Sequence, residues 1–309
     1  MKTVDGLLPV PLPARIGCRV AWILGELGLG DWLLDRVLRR PLPFPAFEGE
    51  LGAGDIVVST PAKNGTNWML QLATQAAWKT QVTFEHIHQV VPWPDCPIRV
   101  LPATLDDGPR SPSGHRVIKT HFGADRVPWS DDARYVVVLR DPKLVVESAY
   151  HFFVGNFTAI FRGEVPAERF LEVWLSGSFV GGDWAEHVAS WWRLRDRPNV
   201  VVLTYARMKR DLPGVLDELC AFADLELEPQ VRDEVLRRAG FAWMKEHNGA
   251  FAAITPRLRG ELPPMVRSGS TRASGLFSAD QLAEVDRRLK QRLGELGCEL
   301  PYDELFGAR

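Results

Sequence analysis

The chain has 309 residues, 46% of them hydrophobic and 25% charged, which excludes wholesale disorder and fibrous repeats. Lys and Arg number 37 against 39 Asp and Glu, a formal net charge of -2. Nothing global therefore draws the protein to nucleic acid, and any anion site must be local.

Cys18, Cys96, Cys220 and Cys298 lie far apart, without the CxxC spacing of a zinc or redox pair, as expected of a reduced cytoplasmic protein. The N-terminal segment meets Asp5 and several prolines early and lacks the apolar core and cleavage site of a secretory signal. Residues 16–38 are partly apolar, but Arg19, Glu26, Asp31, Asp35 and Arg36 interrupt them well short of a membrane span. They read as a helix packed on the core or as an amphipathic helix lying on a membrane surface. The segment PLPFPAFEGE at 41–50 cannot propagate a helix. Residues 1–50 are thus expected to be a helical, Pro-rich extension packed on a domain formed by 51–309.

A β-branched run at 55–60 precedes PAKNG and a helical stretch at 66–79, the order strand, loop, helix. Apolar runs at 116–120 and 134–139 follow, the second passing through Arg140 and Asp141 into a helical pattern at 142–153. A fourth strand at 200–203 separates helical patterns at 183–195 and 205–223. Such strands alternating with helices predict a single α/β domain with a mostly parallel sheet flanked by helices and a P-loop-like nucleotide-binding core. The stretch 250–275 mixes prolines and glycines with Arg257, Arg259, Arg267 and Arg272 and is expected to be a cationic loop. Residues 278–296 read as a last helix with Ser278 as its N-cap and Gly297 beyond its end. There is no internal repeat of fixed period.

The loop Pro61-Ala62-Lys63-Asn64-Gly65-Thr66-Asn67-Trp68 sets amides, a lysine and a hydroxyl at a helix N-terminus, a favourable place for an anion. Alone, it reads equally well as a surface turn with an exposed lysine. It lacks the GKS or GKT of the magnesium-nucleotide loop, which argues against a nucleotide kinase. His86-Ile87-His88 is an HxH pair without a third ligand nearby, so no metal site is expected. His151 reads as structural.

Several motifs stand together in one order. AKNGTNW keeps the lysine, glycine, first threonine and tryptophan of PKSGTTW, the first donor loop of the cytosolic aryl and alcohol sulfotransferases. Lys119-Thr120-His121 is similar to that family's KTH segment, and LRDPKLVVESAYHF at 139–152 resembles its second nucleotide motif, with Arg140 and Ser148 at the family's spacing. The paired Trp191 and Trp192, Tyr205 before MK, and GFAWMKEHN with Phe241 follow in family order. In the last motif RSGSTRASGLFS keeps Arg267 and Gly269 of RKGxxGDWKxxFT, puts Ser268 where the family has lysine and lacks GDW.

From about residue 51 to 300 the chain thus resembles the sulfotransferases that use 3′-phosphoadenosine 5′-phosphosulfate (PAPS) and release adenosine 3′,5′-bisphosphate (PAP). The resemblance implies His121 as general base, Lys63 and Lys119 as catalytic lysines, and a donor site of Lys63, Asn64, Gly65, Thr66, Asn67, Trp68, Arg140, Ser148, Tyr205, Phe241, Arg267, Ser268 and Gly269, without a metal. It implies that Trp68 and Phe241 pack on the base while Arg140, Ser148 and Arg267 hold the 3′-phosphate, with Arg272 standing in for the lost lysine. PWPD at 92–95 resembles the stretch that lines the acceptor pocket, so His88, Trp93, Phe122 and Phe152 are expected to touch a small hydroxyl acceptor. The unmatched last motif overlaps the family's dimer segment, and no oligomer is predicted. A nucleotide kinase or other phosphotransferase on a P-loop-like fold, and a non-catalytic nucleotide-binding protein on the same fold, are the alternatives.

Overall fold

Four apolar strands form one parallel sheet: β1 Asp55–Ser59, β2 Arg116–Thr120, β3 Arg134–Leu139 and β4 Val200–Thr204, in the order β2-β1-β3-β4. The computed structural model describes residues 2–3, 8–9, 12–40, 44–97, 105–106, 108–254, 263–267, 269–270 and 272–307. Arg257, Arg259 and Ser268, singled out above, lie outside them. Side chains alternate across each strand, and here both faces are buried. Val57, Ile118, Tyr135, Val137 and Leu139 enter one core layer, whereas Ile56, Val58, Val117, Val136, Val138 and Leu203 enter the other.

The helices are α1 Leu12–Leu24, α2 Gly30–Leu38, α3 Thr66–Ala77, α4 Pro142–Phe161, α5 Ala167–Trp174, α6 Trp184–Trp192, α7 Tyr205–Arg210, α8 Leu212–Phe222, α9 Pro229–Arg238, α10 Phe241–Glu246, α11 Ala279–Glu295 and α12 Tyr302–Phe306. The first core layer takes buried residues from α2, α4, α5, α6, α11 and α12, and the second from α3, α7, α8, α9 and α10. Two helices depart from their sequence patterns. The helix from Pro142 runs to Phe161, past 153, and ends where Arg162 turns left-handed at φ 52°. The pattern at 205–223 divides in two because the Asp211 carboxylate accepts from the Gly214 N–H and restarts the helix at Leu212. The last helix has the expected capping box, Ser278 with Gln281.

This strand order decides where a ligand sits. After β1 the chain crosses to β2 on one side and then to β3 on the other, so the loops leaving β1 and β3 diverge and open a crevice at the carboxyl ends of the strands. At the opposite end Arg116 forks onto Asp55, Nε to Oδ1 at 2.9 Å and Nη2 to Oδ2 at 2.8 Å, and Arg110 adds a third contact at 2.9 Å. The N-terminal extension lies against α4. A π-helical turn, Gly25–Leu29, joins α1 to α2. A Cβ on Gly25 would lie 2.1 Å from the Phe161 carbonyl oxygen, so only glycine allows this contact.

Candidate active site

The loop leaving β1 turns on two left-handed residues, Lys63 at φ 68° and Gly65 at φ 99°. Gly65 has a second reason to be glycine: a Cβ there would stand 2.8 Å from the Tyr205 ring. Asn64 ties the loop to its neighbours. Its Nδ2 donates to the Pro61 and Ala62 carbonyls, and its Oδ1 accepts from the Arg140 N–H at 2.8 Å and the Trp184 indole at 3.3 Å. The loop is thereby registered against the end of β3, and α3 begins with its N-terminal amides towards the crevice.

One cavity of about 490 Å³ fills that crevice. Its charged described lining residues are all cationic or imidazole: Lys63, Lys119, Arg140, Lys209, Arg267 and the histidines. Burial and the neighbouring Arg140, Lys119 and Arg267 push Lys63 down to about 7. Burial likewise pushes Lys119 down to about 8. Lys63 Nζ stands 4.0 Å from the Phe152 ring centroid and donates to Met265 Sδ, while Lys119 Nζ lies 3.5 Å over Trp93. Arg140 donates to the Lys63 carbonyl at 3.2 Å and stacks over Tyr205, yet its buried Nε has no partner among the described residues. Of these cations only Arg267 is ion-paired among the described residues, to Glu147; with an N–H of Arg140 left over, they describe a site shaped for an anion.

His121 Nδ1 lies 2.8 Å from the Thr60 carbonyl oxygen. A carbonyl can only accept, so Nδ1 carries the hydrogen and Nε2 keeps the lone pair. Burial first, then the charge of Lys119, holds the ring down at about 3, which keeps it neutral near pH 7 with the Nε2 lone pair free. The Asp95 carboxylate accepts from the His121 N–H at 3.1 Å. Trp93 stands between two imidazoles, edge-on to His121 and stacked with His88. His88 Nδ1 is engaged with the Val91 carbonyl, and burial holds this ring neutral as well.

Of the residues expected in the site, Lys63, Gly65, Thr66, Asn67, Trp68, His88, Trp93, Lys119, His121, Arg140, Ser148, Phe152, Tyr205, Phe241, Arg267 and Gly269 all line this cavity. Trp68 is edge-on to Tyr205 and donates to the Ala239 carbonyl, holding α9 against α3. Gly269, at φ 58°, lets its loop approach Phe241, since a Cβ would lie 2.8 Å from that ring. Arg267 is steadied by buried Glu147 at 3.3 Å. Three of the expected residues stand outside this lining. Asn64 is fully buried beneath the loop and outside the lining. Phe122 is also outside it, its ring against Phe44 and under Arg126, because the residue after His121 on the chain points to the opposite side. Arg272 is exposed and its backbone is tied to the Ser270 hydroxyl, away from the lining. Ser268 lies outside the described residues.

Sequence reasoning missed Asp95, Thr60 and the apolar wall of Phe44, Phe157, Ile160, Val180 and Ile254. Asp95 sits in the PWPD stretch and was available as a signal. The wall comes from unconnected segments and had none. His86 and His88 share a wall, but His86 bonds to the Ala252 carbonyl, and no group of metal ligands is found among the described residues.

Known proteins place this geometry. Residues 53–297 match the sulfotransferase domain. Sulfotransferase 1C2 of Rattus norvegicus is 25% identical over 252 residues, covering 78% of this chain and 83% of the relative. The structure of retinol dehydratase in complex with androsterone and inactive cofactor PAP aligns with a TM-score of 0.70 at 18% identity, over 88% of this chain and 96% of that one. Its complex with retinol and PAP aligns at 0.68 and 17% identity, over 87% and 96%. A domain match over most of the chain, on a parallel sheet with the donor-loop motifs at its strand ends, means that this protein belongs to the PAPS-dependent sulfotransferase family.

Proposed function

We propose that the protein moves the sulfuryl group of PAPS onto the hydroxyl of a small, apolar or aromatic acceptor. The observation that carries this reading is the convergence of Lys63, Lys119, Arg140 and Arg267 on one cavity beside a neutral His121. The residues present fit the donor: the orphaned Arg140 Nε offers an N–H to a phosphate oxygen, and a forked guanidinium suits two such oxygens. When bound, PAPS supplies an activated sulfuryl group on a phosphate leaving group.

The chain's own residues then divide the work. Lys63 and the first amides of α3 stabilise negative charge that grows on the departing phosphate. Arg140, Ser148 and Arg267 hold the 3′-phosphate, with Trp68, Tyr205 and Phe241 around the base. Asn64 acts as a positioning residue. His121 Nε2 takes the acceptor proton as the oxygen attacks in line, a role typically contributing about 100- to 10,000-fold, and Lys119 adds positive charge beside it. Phe152, Trp93 and His88 face the acceptor. Androsterone and retinol, held by retinol dehydratase in its two complexes, are apolar alcohols, and the aromatic wall of this cavity suits the same class.

Catalysis is assigned to residues 51–309. Residues 1–50 form the extension, whose described contribution to the cavity is Phe44. None of the four cysteines is in a disulfide, which suits a cytoplasmic setting. A panel of phenols and alcohols with labelled PAPS tests the reading. His121→Ala should lose turnover and keep PAP affinity. Transfer to no acceptor despite tight PAP binding would favour a non-catalytic binding protein, and stabilisation by magnesium-ATP over PAP would favour a kinase.

A further inference from the structure

Helix α1 and the π-helical turn after it present their two sides unequally. Gly25 and Trp22 meet α4 and the residue after it, Gly25 at the Phe161 carbonyl and Trp22 under the Arg162 guanidinium. The opposite side carries Leu12, Ile16, Val20, Ile23 and Leu27 at helical spacing, each 50 to 70% exposed. Trp32, on the outer side of α2 opposite buried Leu34 and Leu38, is 58% exposed with Arg36 over its ring. This is an apolar stripe on the outside of the protein, where a helix packed only on its own core would be polar. No helix of the described residues is long and apolar enough to cross a membrane.

The charges say what covers the stripe. Every acid of α2 and of the joint before it has a partner within the chain: Glu26 with Arg162, Asp31 with the Glu164 N–H, Asp35 with Arg39 and Arg169. Arg19, Arg36 and Arg40 have no ion-pair partner among the described residues. A second copy placed symmetrically on this face would bring these cations together. An anionic lipid surface accepts the apolar stripe and neutralises the flanking cations, and an indole with a cation beside it suits the same boundary. We infer that the outer face of α1, with Trp32 and Arg36, docks on an anionic membrane surface.

The position of this face adds a purpose, which rests on the sulfuryl-transfer reading. The helix against which α1 packs, α4, gives Phe152, Phe153, Phe157 and Ile160 to the cavity wall, and the segment after α2 gives Phe44. Docking through α1 sets the acceptor end of the cavity beside the bilayer, where an apolar alcohol is concentrated.

Sedimentation of the full chain with vesicles of phosphatidylcholine, with and without phosphatidylglycerol, tests the docking itself. The protein should partition onto the anionic vesicles and be released by salt. The double variant Ile16→Glu, Ile23→Glu, both positions exposed in the folded chain, should partition about tenfold more weakly or worse. It should keep its rate on a water-soluble phenol. Equal partitioning of variant and parent, or no partitioning of either, overturns the inference. So does a concentration-dependent dimer that the double variant abolishes, since the occupant would then be a second copy. Vesicle binding without sulfuryl transfer would condemn the proposed function and leave the docking standing.

Discussion

Arg116 and Lys119 lie three positions apart on β2 and are about equally buried, 6% and 7% exposed. Arg116, at the N-terminal end, is forked onto Asp55, which also takes Arg110. Lys119, at the carboxyl end, faces a cavity it shares with Lys63, Arg140 and Arg267, and its ammonium lies 3.5 Å over the Trp93 indole. One end of the sheet satisfies its buried charge within the protein, and the other leaves that charge for a ligand. The contrast teaches that the two clusters answer to different demands: removing a charge should weaken the fold at the first and relieve it at the second.

The largest expected effect breaks the satisfied end. Asp55→Ala strands Arg116 in the interior and should cost about 3–5 kcal/mol, read by urea unfolding. A change under half of that would mean that Arg116 finds water or another acceptor. At the other end, Lys63→Met keeps the stem against Phe152 and removes the charge. Turnover should fall about 100- to 1,000-fold, while the ligand-free protein melts no lower than its parent. A lower melting temperature would show that Lys63 is structural.

The pH dependence of stability sharpens the comparison without a substitution. Lys63 is held at about 7 in the fold against an ordinary 10.5. Between those values the unfolded chain holds a proton that the folded one has shed, so stability should rise with pH across that window. Bound PAP should flatten the rise by recharging Lys63. His121 and His187, both held at about 3 against 6.5 by burial, act in the same sense lower down: stability should fall as pH drops from about 6.5 towards 3. Calorimetry over both windows, with and without PAP, checks the signs. A stability that falls between pH 7 and 10 would contradict the cation cluster.

All four strands stand where their apolar runs put them, because a strand buried on both faces writes its length directly into the sequence. Helix ends were less legible. Asp211 acts as a cap only because its carboxylate turns back to the Gly214 N–H, and a helical pattern runs through it without showing this. In the site, the loop, the KTH segment and the Arg140-to-Ser148 spacing were readable because each is held by local backbone geometry.

Local sequence therefore determined the elements, the loop leaving β1 and the order of the motifs. Only the tertiary structure decided that Asn64 braces the loop instead of lining the cavity, that Phe122 faces the core, and that Arg272 stays outside. It also decided which nitrogen of His121 keeps its lone pair, through a carbonyl 61 positions away. The physical reason is that backbone preference acts over a few residues, whereas a cavity is made where crossover connections bring distant strand ends together, and its charges take their meaning from that meeting.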